Sequence, residues 1–131
     1  MKVSVFDAGI LTLHFAGDRR VTDFFSRVDS GQIAGLVSEV NLAEYYYKTC
    51  QKLGRDAANS RYYMLRSSKL QIVQDEALTR QAGLEKCRTH LDLSLADCFA
   101  LALAKREKGT LLTTDSELRK SKDIEVKHFR V

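Results

Sequence analysis

The 131-residue chain has no proline, only three cysteines and seven glycines. With no proline-marked linker, repeat, low-complexity tract or break in composition, one compact unit over residues 1–131 is expected. A chain of this length buries roughly two-thirds of its unfolded surface and needs no covalent staple. Cys50, Cys87 and Cys98 form no CxxC pair and no Cys/His cluster, and an odd number argues against a disulfide framework. A reducing, cytoplasmic setting is therefore expected.

Long apolar runs are missing as well. Nothing approaches the ~18 consecutive apolar residues that cross a bilayer. VSVFDAGILTLHFAG, residues 3–17, imitates a secretory leader, with Lys2 ahead of it and small residues behind, but Asp7 interrupts it. The reading is a soluble protein with no membrane partner. The glycines spell neither GxGxxG nor GxxxxGKS/T, which excludes the backbone phosphate cradles of the common nucleotide-binding folds. His14, His90 and His128 have no metal-ligand spacing such as HExxH, and no Ser-His-Asp arrangement is readable. A phosphoacceptor receiver domain would need a lysine ending its last strand, which HFRV does not clearly supply.

Charge is abundant but scattered. Lys and Arg number 21 against 17 Asp and Glu, a formal +4, compatible with a polyanionic partner without requiring one.

Short apolar runs alternate with longer helical patterns. KVSVF (2–6), IAGLV (33–37), LQIV (70–73), TLLT (110–113) and IEVKHF (124–129) read as strands. Between them, Val21, Phe24, Phe25 and Val28 carry helical spacing, closed by Ser30 and Gly31. Ser38 caps a helix to about Leu53, stopped by Gly54. Further helices are expected from about Arg55 to Arg66, from Asp75 to about Arg88 and from Ser94 until Gly109, with a short turn at SELRK. Alternation of this kind predicts an α/β, three-layer domain with a mostly parallel five-stranded sheet flanked by helices. Such sheets bind ligands beyond the carboxyl ends of their strands, where strand order reverses.

Four acids stand out against that frame. Asp7 follows the first strand directly and Asp115 follows the fourth by two residues, in LLTTDSEL. Each has a purely structural explanation as an N-cap. Asp97 interrupts an otherwise greasy helix, LSLADCFALALAK (93–105), where it can complete a capping box with Ser94. Glu44, in SEVNLAEYYYK, lies along Val40, Ala43 and Tyr47 and is expected to lean toward the protein, although Lys48 at i+4 can pair with it. Were the four to meet without a cation they would repel, and some would bind protons. Oxygen-only ligands of this kind suit Mg²⁺ or Mn²⁺, ions that serve phosphodiester hydrolysis.

Asp7, Glu44, Asp97 and Asp115 resemble the four acidic motifs of PIN-domain ribonucleases, and length and compactness are similar to VapC-type toxins of bacterial and archaeal toxin–antitoxin pairs. The resemblance spans nearly the whole chain and rests on motif order and spacing. It implies Mg²⁺- or Mn²⁺-dependent endoribonuclease activity on RNA, frequent homodimers, and a small antitoxin bound near the site. Carried over by position, Asp7 and Asp97 become the principal metal ligands, while Glu44 and Asp115 complete the pocket and help position the attacking water. Ala8 departs from the Thr or Ser common after the first Asp, and Thr113 matches the hydroxyl usual before the last one. The competing reading is a non-catalytic PIN-like module that binds protein or RNA. Tyr45, Tyr46, Tyr47, Tyr62 and Tyr63 are expected to serve core packing and a dimer or antitoxin surface more than base stacking.

Overall fold

A computed structural model describes residues 1–131. Its five strands are β1 (Val3–Phe6), β2 (Ala34–Ser38), β3 (Gln71–Val73), β4 (Thr110–Thr113) and β5 (Val126–His128). They form one sheet in the order β3-β2-β1-β4-β5, and every pairing is parallel. The helices are α1 (Ala8–Phe15), α2 (Arg19–Asp29), α3 (Glu39–Leu53), α4 (Arg55–Ser67), α5 (Glu76–Arg88) and α6 (Leu95–Glu107), with a 3₁₀ turn at Leu118–Lys120.

Alternation along each strand divides the core into two layers. Phe6, Val37 and Leu112 face α1 to α4, where they meet Ile10, Leu11, Phe25, Leu42, Tyr45 and Leu65. Val5, Leu36 and Leu111 face α5 and α6 and pack on Leu78, Ala82, Leu101 and Leu103. Because both sides of the sheet are covered, the strands read as continuous apolar runs. The greasy α6 is buried from Cys98 through Ala104 apart from half-buried Phe99, as its composition requires.

All five expected strands are present, β4 with the expected bounds and the other four shortened or shifted at their ends. The sequence pattern does not mark the α1 helix. Its eight residues are nearly all apolar, so no amphipathic period marks them, and it is short because Gly17, at φ 80, turns the chain immediately afterwards. Another expectation is corrected: Val40, Ala43 and Tyr47 do not form the inward stripe of α3. Ala43 and Tyr47 are exposed and Val40 is half-buried, and the buried face consists of Asn41, Leu42, Tyr45 and Thr49.

Candidate active site

Strand order reverses between β1 and β4, so the residues just beyond those two strands flank the crevice where open α/β sheets take ligands. Asp7 follows β1 and is 5 % exposed. Its Oδ1 accepts from the Ile10 N–H at 3.0 Å, capping α1, and its Oδ2 accepts from the Thr113 hydroxyl at the end of β4. The fully buried Thr113 Oγ1 in turn accepts from the Asp115 N–H at 2.9 Å. Asp115 Oδ1 then accepts from the Glu117 N–H at 2.8 Å, which shapes the turn ahead of the 3₁₀ segment. One threonine thus links the first and last of the four acids.

The other two acids come from helices that start at the same edge. The Ser94 hydroxyl accepts from the Asp97 N–H and Asp97 Oδ2 accepts from the Ser94 N–H, a complete capping box on α6. Ser38 ends β2 and caps α3 through the Asn41 N–H, while Asn41 Nδ2 donates 3.0 Å to the Ala96 carbonyl. That amide ties the start of α3, which carries Glu44 one turn further on, to the start of α6, which carries Asp97. Sequence reasoning missed this tie; its only local signal was the SxxN spacing at residues 38–41.

Electrostatics follow from the convergence. Burial, opposed by the Thr113 and Ile10 hydrogen bonds, pushes the Asp7 carboxyl from 3.8 up to about 7, with the charges of Asp97 and Glu44 adding to the rise. Burial raises Asp97 to about 6 against its Ser94 hydrogen bond, and the adjacent Asp115 carboxyl, close enough to share a proton with it, adds to the rise. No lysine, arginine or histidine pairs with Asp7, Asp97 or Asp115. Glu44 is the exception, since Lys48 Nζ stands 3.1 Å from its Oε2. As placed, no three His, Cys, Asp or Glu side chains are disposed to hold one metal ion.

The largest cleft, about 730 Å³, lies at the opposite edge of the sheet, among Lys2, Arg27, Glu107, Lys108, Glu125 and Lys127. It holds none of the four acids. A pocket of about 330 Å³ lies closer to them, where Glu39 and Val40 of α3 meet Val73, Leu78 and Phe99.

The PIN-domain family profile matches residues 4–123. The chain belongs to the PIN-domain family. That match takes in β1 to β4 and all four acids, so the reading from motif order and the family assignment agree. Among solved structures, this PIN domain is similar to VapBC2 from Rickettsia felis, in a structure bound to a DNA fragment from its promoter, with a TM-score of 0.78 at 14 % identity over 96 % of this chain and 98 % of that one. It is also similar to VapC20 of Mycobacterium tuberculosis, described as a toxin that cleaves the sarcin–ricin loop, with a TM-score of 0.74 at 17 % identity over 95 % and 98 % of the two chains. DNA-bound VapBC from Salmonella typhimurium gives 0.73 at 16 % identity, covering 98 % of both. Identities this low establish a shared fold. No curated protein sequence matches the chain.

The three cysteines are unpaired, in keeping with the sequence reading. No helix is long and apolar enough to cross a membrane. The five tyrosines divide by position: Tyr45 is in the core and stacks on Phe15, Tyr46 donates to Asn59 across the α3–α4 seam at 2.7 Å, Tyr62 accepts from Arg66, and Tyr47 and Tyr63 point outward.

Proposed function

We propose that this PIN domain, a single unit over residues 1–131, is a divalent-metal-dependent endoribonuclease and the toxin of a toxin–antitoxin pair. The observation that carries the reading is the meeting of Asp7, Asp97 and Asp115 at the reversal point of the sheet with no basic side chain to neutralise them. A protein that used them only as helix caps would have no reason to collect three uncompensated carboxyls in one half-buried place, where burial, and after it their mutual repulsion, raises the affinity of two for protons.

The donor set fits Mg²⁺ or Mn²⁺ by its chemistry: it is all oxygen, anionic and partly solvated. Asp7 and Asp97 would hold the ion, with Glu44 and Asp115 as direct or water-mediated ligands. When bound, the ion supplies Lewis acidity toward a phosphodiester oxygen and activates a water for in-line attack. Thr113 holds the Asp7 carboxylate in one rotamer and spaces Asp115 from it. The Ser94 capping box fixes Asp97, and Asn41 fixes the helix that carries Glu44. Protons held at Asp7 and Asp97 leave as a cation binds, so ion affinity rises with pH.

The antitoxin expectation draws support from the VapBC assemblies that share the fold. Tyr47 and Tyr63, 49 % and 64 % exposed, offer the α3–α4 pair as that contact surface. The activity is tested with single-stranded RNA and Mg²⁺ or Mn²⁺. Cleavage is expected, stopped by EDTA, and lost in Asp7→Asn and Asp97→Asn while circular dichroism stays native and both variants remain folded at the assay temperature. Indifference to metal, chelator and both substitutions would establish the non-catalytic binding module instead.

A further inference from the structure

Lys48 is the only cation in contact with any of the four acids. The chain has another Glu/Asp-to-Lys/Arg pair at the same i,i+4 spacing, Asp23 with Arg27, and the comparison is instructive. There both partners are open to solvent, with 63 % and 50 % of their side chains exposed, as in ordinary surface pairs. Glu44 is only 19 % exposed, whereas Lys48 keeps 57 % of its side chain in solvent. The carboxylate is therefore committed to the pocket and the ammonium is not. The charge of Asp97 also acts on Lys48, and that of Glu44 acts on Asp7, so this half-exposed ammonium, 3.1 Å from Glu44, feels the acidic group beyond its own partner.

From this asymmetry we infer that Lys48 is a tethered counter-cation of the acidic pocket: a divalent ion displaces it from Glu44, and the freed ammonium then contacts a phosphate of the bound nucleic-acid strand. The inference rests on the nuclease reading and adds to it a residue outside the acidic set. The physical basis is competition. Glu44 cannot neutralise Lys48 and a dication equally, and four flexible methylenes let the ammonium move several ångströms at little cost. A strand whose phosphate meets the ion runs past the mouth of the pocket, where a lysine acts as a point charge.

The test compares the wild type with Lys48→Gln and Lys48→Arg, both at an exposed position that leaves the fold alone. Mn²⁺ affinity is read by calorimetry on the free protein. Binding of a phosphorothioate-linked oligouridylate with Mg²⁺ is read as a function of salt. Lys48→Gln is expected to bind Mn²⁺ roughly two- to fivefold more tightly, the order set by loss of a competing i,i+4 pair. The same variant should bind the oligonucleotide more weakly, with a log–log salt slope shallower by about 0.7, the value for one phosphate contact on a single strand. Lys48→Arg, which keeps the charge, should restore the slope. Unchanged Mn²⁺ affinity or an unchanged salt slope in Lys48→Gln overturns the exchange and leaves the nuclease reading standing. A wild type that binds no Mn²⁺ overturns both.

Discussion

Asp7 does two things that pull in opposite directions. As the N-cap of α1 it accepts a backbone hydrogen bond that favours its ionised form, yet its burial and its acidic neighbours raise its pKa to about 7. A carboxyl whose native pKa lies above its unfolded value stabilises the fold fully below the unfolded value, and that contribution is lost as pH rises through the native one. For Asp7 the window runs from about 4 to about 7. In EDTA, the stability difference between wild type and Asp7→Asn should therefore move against the wild type across that window, by at most ~1.4 kcal/mol per pH unit. Urea titrations at half-unit steps would show it, and a pH-independent difference would mean that Asp7 titrates normally. Asp97 separates capping from crowding more directly. Asparagine can still accept from the Ser94 N–H and removes the charge, whereas alanine removes both. At pH 7.5 in EDTA, Asp97→Asn should be at least as stable as wild type and Asp97→Ala less stable than Asp97→Asn by about 1 kcal/mol, the typical worth of a cap. Equal stability of the two variants would remove the capping box from the account.

At the scale of elements, close approach of two chain segments builds the crevice. A Cβ on Gly9, in the first turn of α1, would lie 2.0 Å from Thr114 Oγ1 and 3.1 Å from Thr114 Cβ. Turning the hydroxyl away relieves the first contact only, so α1 packs this tightly on the β4 loop because residue 9 has no side chain. Gly9→Ala is expected to destabilise by about 1–3 kcal/mol, the range for overpacking, and to push Thr114 and Asp115 outward. Chemical denaturation measures the first effect. A fully stable variant would show that the loop yields freely and that the spacing of Asp7 and Asp115 is soft. Helix boundaries were legible because Ser38, Asp75 and Ser94 announce their caps, each accepting from the backbone amide three residues on. The α1 helix was not, because an apolar helix eight residues long has the composition of a buried strand.

Across the whole molecule, charge is segregated by edge. The carboxyl ends of β1 and β4 carry uncompensated acids, while at the other end of the strands Lys2, Arg27, Lys108 and Lys127 outnumber Glu107 and Glu125 around the large cleft. The aromatic surface is a third region. If α3 and α4 form the contact with a partner, Tyr47→Ala combined with Tyr63→Ala should weaken self-association or antitoxin binding at least tenfold. The loss of two exposed aromatic anchors is of that order, and the monomer's melting temperature should barely change. Sedimentation and titration with the antitoxin decide it, and unchanged values for both would exclude this face.

Much of the fold was local information. Strand–helix alternation, the caps, Gly54 at the end of α3 and the buried character of α6 all follow from periodicity and from backbone preferences within a few residues. The order of the acids along the chain is equally local, and it sufficed to point to the PIN family. Their meeting is not local: Thr113 and Asp7 are 106 residues apart, and the Asn41 side chain reaches a carbonyl 55 residues away. Pattern in a sequence reports which side of its own helix or strand a residue occupies; the inward lean of Glu44 holds, but Val40, Ala43 and Tyr47 do not mark the buried face, because the inward side of α3 depends on how α1 and α6 pack against it. Only the parallel sheet, by bringing the ends of β1 and β4 side by side, gathers Asp7, Asp97 and Asp115 from capping positions far apart in the chain into one partly buried acidic group.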